Sequence, residues 1–341
     1  MNRIVYISNL PSYPEGEFSM FKINELGFEV FEDMLDFADL LRVEPKELDN
    51  GAVVVDAGVK APGGFDAGIY LSRICMADLA DIEIVPMEIG GFTLPGISVT
   101  TDHPSVSCMA SQCAMWQIKA DKYFAMGSGP ARALARKTKD LYERIGFEEF
   151  SDVGAIVLES NKLPDAKVAA HIAETCGIDP GDLRIAVAPT NSIAGMVQVS
   201  ARVVETGLHK LFTMGFDINC IKSGWGRAPI APIVGDATVC MGASNDAIIY
   251  GGETYYALEY DNQEELQGYV KSTPSEGSKD YGAPFYKTFK AAGFDFFKVD
   301  HAVFAPARVI MNELKSRRMY AAGRVNPAVL KESFGLLDNT A

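Results

Sequence analysis

The sequence predicts an α/β protein made of two domains of mixed helix and strand layers. Three observations carry the fold class. Short apolar runs alternate with stretches of helical period, the same grammar restarts in the second half, and 341 residues are enough for two cores.

Taken in order, residues 1–19 stand apart, because Pro11, Pro14 and Gly16 break any period and only Ile4 to Ile7 could pack. Met20 directly precedes the regular pattern, so this segment reads as a dispensable extension or a misassigned start. An N-terminal domain is assigned to residues 20–149. It holds a helix over 26–41, a buried strand over 52–57, a helix over 65–79, a strand over 82–87, a helix over 107–118 and a short strand over 123–125. A further helix opens at Pro130, whose fixed φ suits a first turn. The boundary falls near Phe147 to Asp152. The second domain, residues 150–341, carries strands over 154–158 and 184–188 and helices over 165–176 and 192–214, and its C-terminal segments are free to return to the first domain. No repeat, low-complexity tract or heptad run points to a solenoid or coiled coil.

Composition narrows the function. The chain is 48% hydrophobic and 22% charged, an ordinary globular balance. Its 45 acidic residues exceed 31 basic ones, a net charge of −14, and no Lys/Arg-rich stripe offers to track phosphates, so nucleic acid is excluded as the expected partner. No run approaches the roughly 18 to 20 apolar residues that cross a bilayer. Arg3 alone, with Asn9 and Pro11 cutting the apolar run, makes a poor signal peptide. Six scattered cysteines read as buried thiols of a reducing cytoplasm.

Two local constellations bear on chemistry. In Met126 to Ala135 (MGSGPARALA), Gly127, Ser128 and Gly129 end a strand and Pro130 starts a helix. Such a turn either presents free amides to a phosphate or carboxylate, with Arg132 beside it, or simply reverses the chain; residue types leave both open. It is no dinucleotide fingerprint, since Arg132 replaces the third glycine and Pro130 sits inside the motif. In the second constellation, Asn191 or Ser192 caps a helix whose core side is Ile193, Val197, Val204, Leu208 and Leu211. Gln198, Arg202, Glu205 and His209 follow at spacings of four, three and four and share a separate stripe. By spacing alone that stripe is either a solvated Arg/Glu face or a functional one.

The four histidines form no metal-ligand spacing, Cys108 and Cys113 read as two thiols of one helix, and no Gly-x-Ser-x-Gly elbow is present. No metal and no cofactor are expected. Later motifs mix turn-formers with aromatics: Asn245 and Asp246, then Ser278 to Phe285 with Asp280 and Tyr281, then Phe304 to Ala307. Each is a structural turn taken singly, while together they suggest a pocket for a flat ring, with Tyr281 and Phe285 as faces and Asp246 or Asp280 accepting ring N–H groups.

In order and spacing, TDHP at Thr101, MGSGPARALA, PTNSIAG at Pro189, SARVVET at Ser200, SNDAIIYGG at Ser244, SKDYGAPF at Ser278 and FFKVD with FAPA at Phe296 and Phe304 resemble the methenyltetrahydromethanopterin cyclohydrolases, from about Met20 to Phe334. The resemblance implies hydrolysis of the cationic methenyl bridge of a folate-like carrier to the formyl derivative, reversibly and without a metal, by a homotrimer whose subunits have two α/β domains enclosing a substrate cleft. It also implies that Arg202 and Glu205 are catalytic. The substrate-binding set it suggests is Gly127, Ser128, Gly129, Arg132, Asn191, Ser192, Asn245, Asp246, Asp280, Tyr281, Phe285 and Phe304. Cys113 departs from the family pattern. A methenyl carbon is already an amidinium electrophile, so one carboxylate suffices to deprotonate water, and a guanidinium nearby would keep that carboxylate ionised and aligned. Two alternatives remain: another pterin or folate one-carbon enzyme, and a non-catalytic pterin carrier. Loss of the methenyl chromophore on adding pure protein separates all three.

Overall fold

A computed structural model describes residues 21–120 and 122–336; the extension expected for residues 1–19 lies outside them. The first six strands are β1 (Glu44–Glu47), β2 (Val53–Asp56), β3 (Asp81–Ile89), β4 (Phe92–Thr101), β5 (Trp116–Ala120) and β6 (Tyr123–Ser128). The rest are β7 (Gly154–Glu159), β8 (Leu183–Ala188), β9 (Ile221–Pro229), β10 (Glu253–Leu258), β11 (Arg308–Glu313) and β12 (Arg318–Gly323).

They form two sheets, making a mixed α/β structure with two sheet-containing regions. The first runs β1-β2-β8-β7-β6-β5. Its centre is parallel, β2 on β8 and β8 on β7, and antiparallel pairings close both edges. The central strands read VVVD, LRIAVA and GAIVLE because helices cover both faces. Ile23–Asp36 and Phe65–Cys75 bury Val30, Phe31, Leu71 and Ile74 on one side, and Ala166–Cys176 buries Val168 and Ile172 on the other. Asp165 starts that last helix by accepting from the N–H groups of Lys167 and Val168. The second sheet runs β12-β11-β10-β9-β4-β3 and is antiparallel except where β10 meets β11. Helices Val203–Thr213 and Ala237–Gly251 pack against β9.

Strand membership crosses the boundary drawn near residues 147–152. β7 and β8 complete the first sheet although they follow it, and β3 and β4 join the second although they precede it. Three elements also differ from expectation. Residues 107–118 are not one helix: Ser105–Gln112 is a π-helix, closed by Cys113 N–H on the Cys108 carbonyl, and Trp116 onward is strand β5. The segment around Asn245 and Asp246 is no loop but the middle of the helix Ala237–Gly251. Its small residues admit close neighbours, a Cβ at Gly242 falling 2.7 Å from Tyr286 and one at Gly251 2.8 Å from Pro229. Buried on nearly all sides, that helix has no amphipathic period to read. The third difference is the break at Arg202.

Candidate active site

The predicted helix 192–214 is two helices, Ile193–Ser200 and Val203–Thr213, joined by Ala201 and Arg202 with ψ near zero at −6° and 3°. Neither glycine nor proline causes the break. The Ala201 carbonyl accepts from Gln112 Nε2 at 3.2 Å, and Ser200 Oγ donates to the Pro229 carbonyl at 2.9 Å. Tertiary partners thus take over polar groups at the joint.

The break aims Arg202 across the molecule. Its Nη1 donates to the Gln112 carbonyl at 2.8 Å, and Nη2 donates to Ser128 Oγ at 2.7 Å and to Gln198 Oε1 at 3.0 Å. The three acceptors come from the end of the π-helix, the end of β6 and the helix Ile193–Ser200 that ends just before Arg202, so the guanidinium is fixed by three elements. The Gly129 N–H, bonded to the Ser111 carbonyl at 2.9 Å, ties the β6 turn to the same π-helix. A guanidinium has five N–H groups, and these bonds use three of them.

Arg202 lines a cavity of about 270 Å³ with Cys113, Glu205, Thr206, His209, Asn245 and Phe304, and Val199, Ile248 and Ile249 supply apolar wall. Glu205 is 7% exposed. The ion pair expected between Arg202 and Glu205 is absent among the described residues, because the broken helix turns the arginine toward Gln112 and Ser128. Both side chains instead face the cavity. Beside the carboxylate sits the Cys113 thiol, which burial and then the Glu205 charge push well above its ordinary range. Cys75, 3.1 Å from Ser128 Oγ, is likewise raised by burial, with the Arg202 charge pulling the other way.

The remaining predicted residues divide. Asn245 and Phe304 line the cavity, and Asn245 Nδ2 donates to the Met241 carbonyl at 2.8 Å. Ser128 acts one step back, through Arg202. The glycine-rich turn proves to be a turn: Gly129 has φ +113°, its N–H is spent on Ser111, and a Cβ at Gly127 would lie 3.0 Å from Ile118 and Ile156. Arg132 is 1% exposed, beneath the π-helix, with Nη1 on the Met109 and Ser111 carbonyls at 3.4 Å and Nε and Nη2 unpartnered. Buried there, it cannot present a charge to an anionic tail in solution. Ser192, not Asn191, is the N-cap, accepting from Gly195 N–H at 3.0 Å, while Asn191 is exposed and away from the cavity.

Asp246 is not an acceptor for ligand N–H groups. At 0% exposure it accepts from Phe285 N–H at 2.9 Å and Ser333 Oγ at 2.6 Å, and burial raises its pKa to about 7 despite those bonds. Asp280 accepts from Asp300 N–H at 2.7 Å, and Tyr281 packs on Tyr250 with ring centres 5.0 Å apart. Phe285, 2% exposed, backs Phe304 edge-on at 5.2 Å and so forms the wall behind the cavity rather than its surface. Gln112, Cys113 and Thr206 were not among the predicted site residues. Gln198 and His209 were signalled only as members of the polar stripe, and Gln112 had no local signal at all.

A family model described as "Cyclohydrolase (MCH)" matches residues 22–334. The chain is similar to proteins named methenyltetrahydromethanopterin cyclohydrolase from several organisms. It is 55% identical over 317 residues to that of Methanococcoides burtonii and 54% identical over 318 to that of Methanosarcina mazei, covering 93% of this chain and 99% of each relative. The Methanocaldococcus jannaschii protein is 44% identical over 319 residues, with the same coverage.

Proposed function

The chain belongs to the methenyltetrahydromethanopterin cyclohydrolase family, and on that premise we propose how its cavity does the chemistry. The enzyme hydrolyses 5,10-methenyltetrahydromethanopterin to 5-formyltetrahydromethanopterin, reversibly, in one-carbon metabolism. Glu205 is the general base. Its carboxylate faces the cavity free of any ion pair with a described residue, and a cationic methenyl carbon needs only a modest base to bring water in. Once water has added, the carbon–nitrogen bond to the departing ring nitrogen breaks and Glu205 returns a proton to that nitrogen. The formyl group stays on the other nitrogen.

Arg202 serves the oxygen rather than the carboxylate. The guanidinium donates to the water oxygen that becomes the formyl oxygen, and the clamp to Gln112, Ser128 and Gln198 sets its direction beforehand. The single observation that carries this reading is that Arg202 and Glu205 open into one cavity without neutralising each other.

The same reading extends to the larger scale. The two sheet regions work as two α/β domains with the substrate cleft between them, and the chain acts as a cytoplasmic homotrimer. In support of the cleft, Cys113 leads into β5 of the first sheet, while Glu205, His209 and Asn245 ride on helices packed against the second. Phe304, flanked by Ile248 and Ile249, is the surface for the pterin ring. Disappearance of the methenyl absorbance on adding pure protein, with no metal or nucleotide, tests the activity. Binding without that loss would favour a pterin carrier.

A further inference from the structure

The reaction sheds a proton that the buried site must pass on. The methenyl substrate carries one positive charge at its amidinium and the formyl amide carries none. Of the two water protons, one ends on the departing ring nitrogen as the carbon–nitrogen bond breaks, and the other must leave as the carbon–oxygen bond becomes a carbonyl. Glu205 can hold one proton at a time, and at 7% exposure it has little direct access to bulk water.

The titratable and charged side chains lining the cavity are Cys113, Arg202, Glu205 and His209. The Arg202 guanidinium offers donors and no acceptor. Burial and the Glu205 charge push the Cys113 thiol up and keep it protonated. His209 lies one helical turn beyond Glu205, about 5–6 Å away at Cβ by helical spacing, lines the same cavity, and is half-buried so that it also meets solvent. It has no hydrogen-bond or ion-pair partner among the described residues. An imidazole exchanges protons readily near neutral pH, and its two nitrogens can face opposite ways.

We propose that His209 is the proton relay of this enzyme, carrying the released proton from Glu205 to solvent and, in the reverse direction, delivering it. The relay rests on the reading of Glu205 as base; His209 acts through that carboxylate, with water bridging, and does not touch the reacting carbon. Other ionisable groups packed around this helix are otherwise engaged. The Tyr256 hydroxyl donates to the Val204 carbonyl, Cys108 is fully buried, and Lys210 Nζ reaches the Ala302 carbonyl beside Asp300 and His301, with Asp300 holding the Ser278 hydroxyl.

The test compares His209→Gln, His209→Asn and Glu205→Gln in dilute, non-transferring buffer and then with added imidazole. In both His209 variants kcat should fall about tenfold or more in dilute buffer, recover as imidazole is raised, and lose the pH dependence of proton transfer, with KM little changed. Glu205→Gln should stay inactive whatever the imidazole concentration. Wild-type kcat in both His209 variants at every pH, or a loss that imidazole does not restore, overturns the relay while leaving Glu205 untouched. An active Glu205→Gln overturns the base assignment instead.

Discussion

Removing the one hydroxyl that holds Arg202 from behind should disable the site in a graded way. Ser128 Oγ accepts from Arg202 Nη2 at 2.7 Å, and Ser128 is buried. A hydrogen bond to a charged donor is worth about 1.5–3 kcal/mol. Ser128→Ala removes it from a guanidinium whose remaining bonds are the Gln112 carbonyl at 2.8 Å and Gln198 Oε1 at 3.0 Å. Expressed in the transition state, that loss is about 10- to 100-fold in kcat/KM, and it should fall on kcat because Arg202 acts on the oxygen as it gains carbonyl character. The other contact of the hydroxyl is the Cys75 thiol at 3.1 Å, a soft neighbour that tolerates a methyl group. Thermal stability should therefore fall only slightly. Gln198→Leu removes the second bond from the same nitrogen, and Ser128→Ala with Gln198→Leu should cost less than the product of the two single effects, since the arginine swings free after either one. The assay is the rate of methenyl absorbance loss. Wild-type kcat/KM in Ser128→Ala, or strict multiplicativity in the double variant, would refute the clamp.

Three other perturbations probe the frame. Burial raises Asp246 from 3.8 to about 7, so the native state binds the proton more tightly than the unfolded chain; the associated stability is complete below pH 3.8 and is lost as pH rises through about 7, a difference of about 4 kcal/mol. Asp246→Asn should flatten that decline in urea melts between acid and pH 8, leaving the similar contribution of Glu149, also raised by burial to about 7; parallel curves for wild type and variant would contradict it. Arg132→Met should leave the affinities for the full carrier and for a tail-truncated one each at its wild-type value, because Arg132 is 1% exposed; a selective loss for the full carrier in titration calorimetry would restore it as an anchor. Gly129→Ala places a side chain at φ +113° and should cost more than about 1 kcal/mol by denaturant midpoint, with turnover falling further because the Gly129 N–H ties the β6 turn to Ser111 of the π-helix.

Much of the first sheet was legible in the sequence. Apolar runs such as VVVD and AIVLE mark strands buried on both faces, and Asp165 and Ser192 mark helix starts by side-chain capping. The second sheet was harder to see beyond β3. Its strands alternate weakly, and the helix Ala237–Gly251 is buried nearly all round, so neither period stands out. Most consequential was the joint at Ala201 and Arg202. Nothing in Ser200-Ala201-Arg202 forbids a continuous helix, and the partners that break it, Gln112 and Pro229, are far away in sequence. Helical phase did bring Gln198, Arg202, Glu205 and His209 onto one stripe, but it implied an ion pair that the break removes. The π-helix was equally hidden, since one extra residue per turn leaves no compositional trace in SVSCMASQ. Polar residues in the later motifs looked like ligand contacts, whereas Asp246 and Asp280 satisfy backbone N–H groups. A buried carboxylate with local duties cannot be told from a binding one without its neighbours.

The central claim is that Glu205 activates water in a cavity where Arg202 is already in place. Its most direct test is the turnover of Glu205→Gln at saturating methenyltetrahydromethanopterin, followed by loss of the methenyl absorbance, with substrate binding measured alongside. The account predicts a fall in kcat of about a hundredfold or more with binding retained. Near-wild-type kcat in that variant would contradict it.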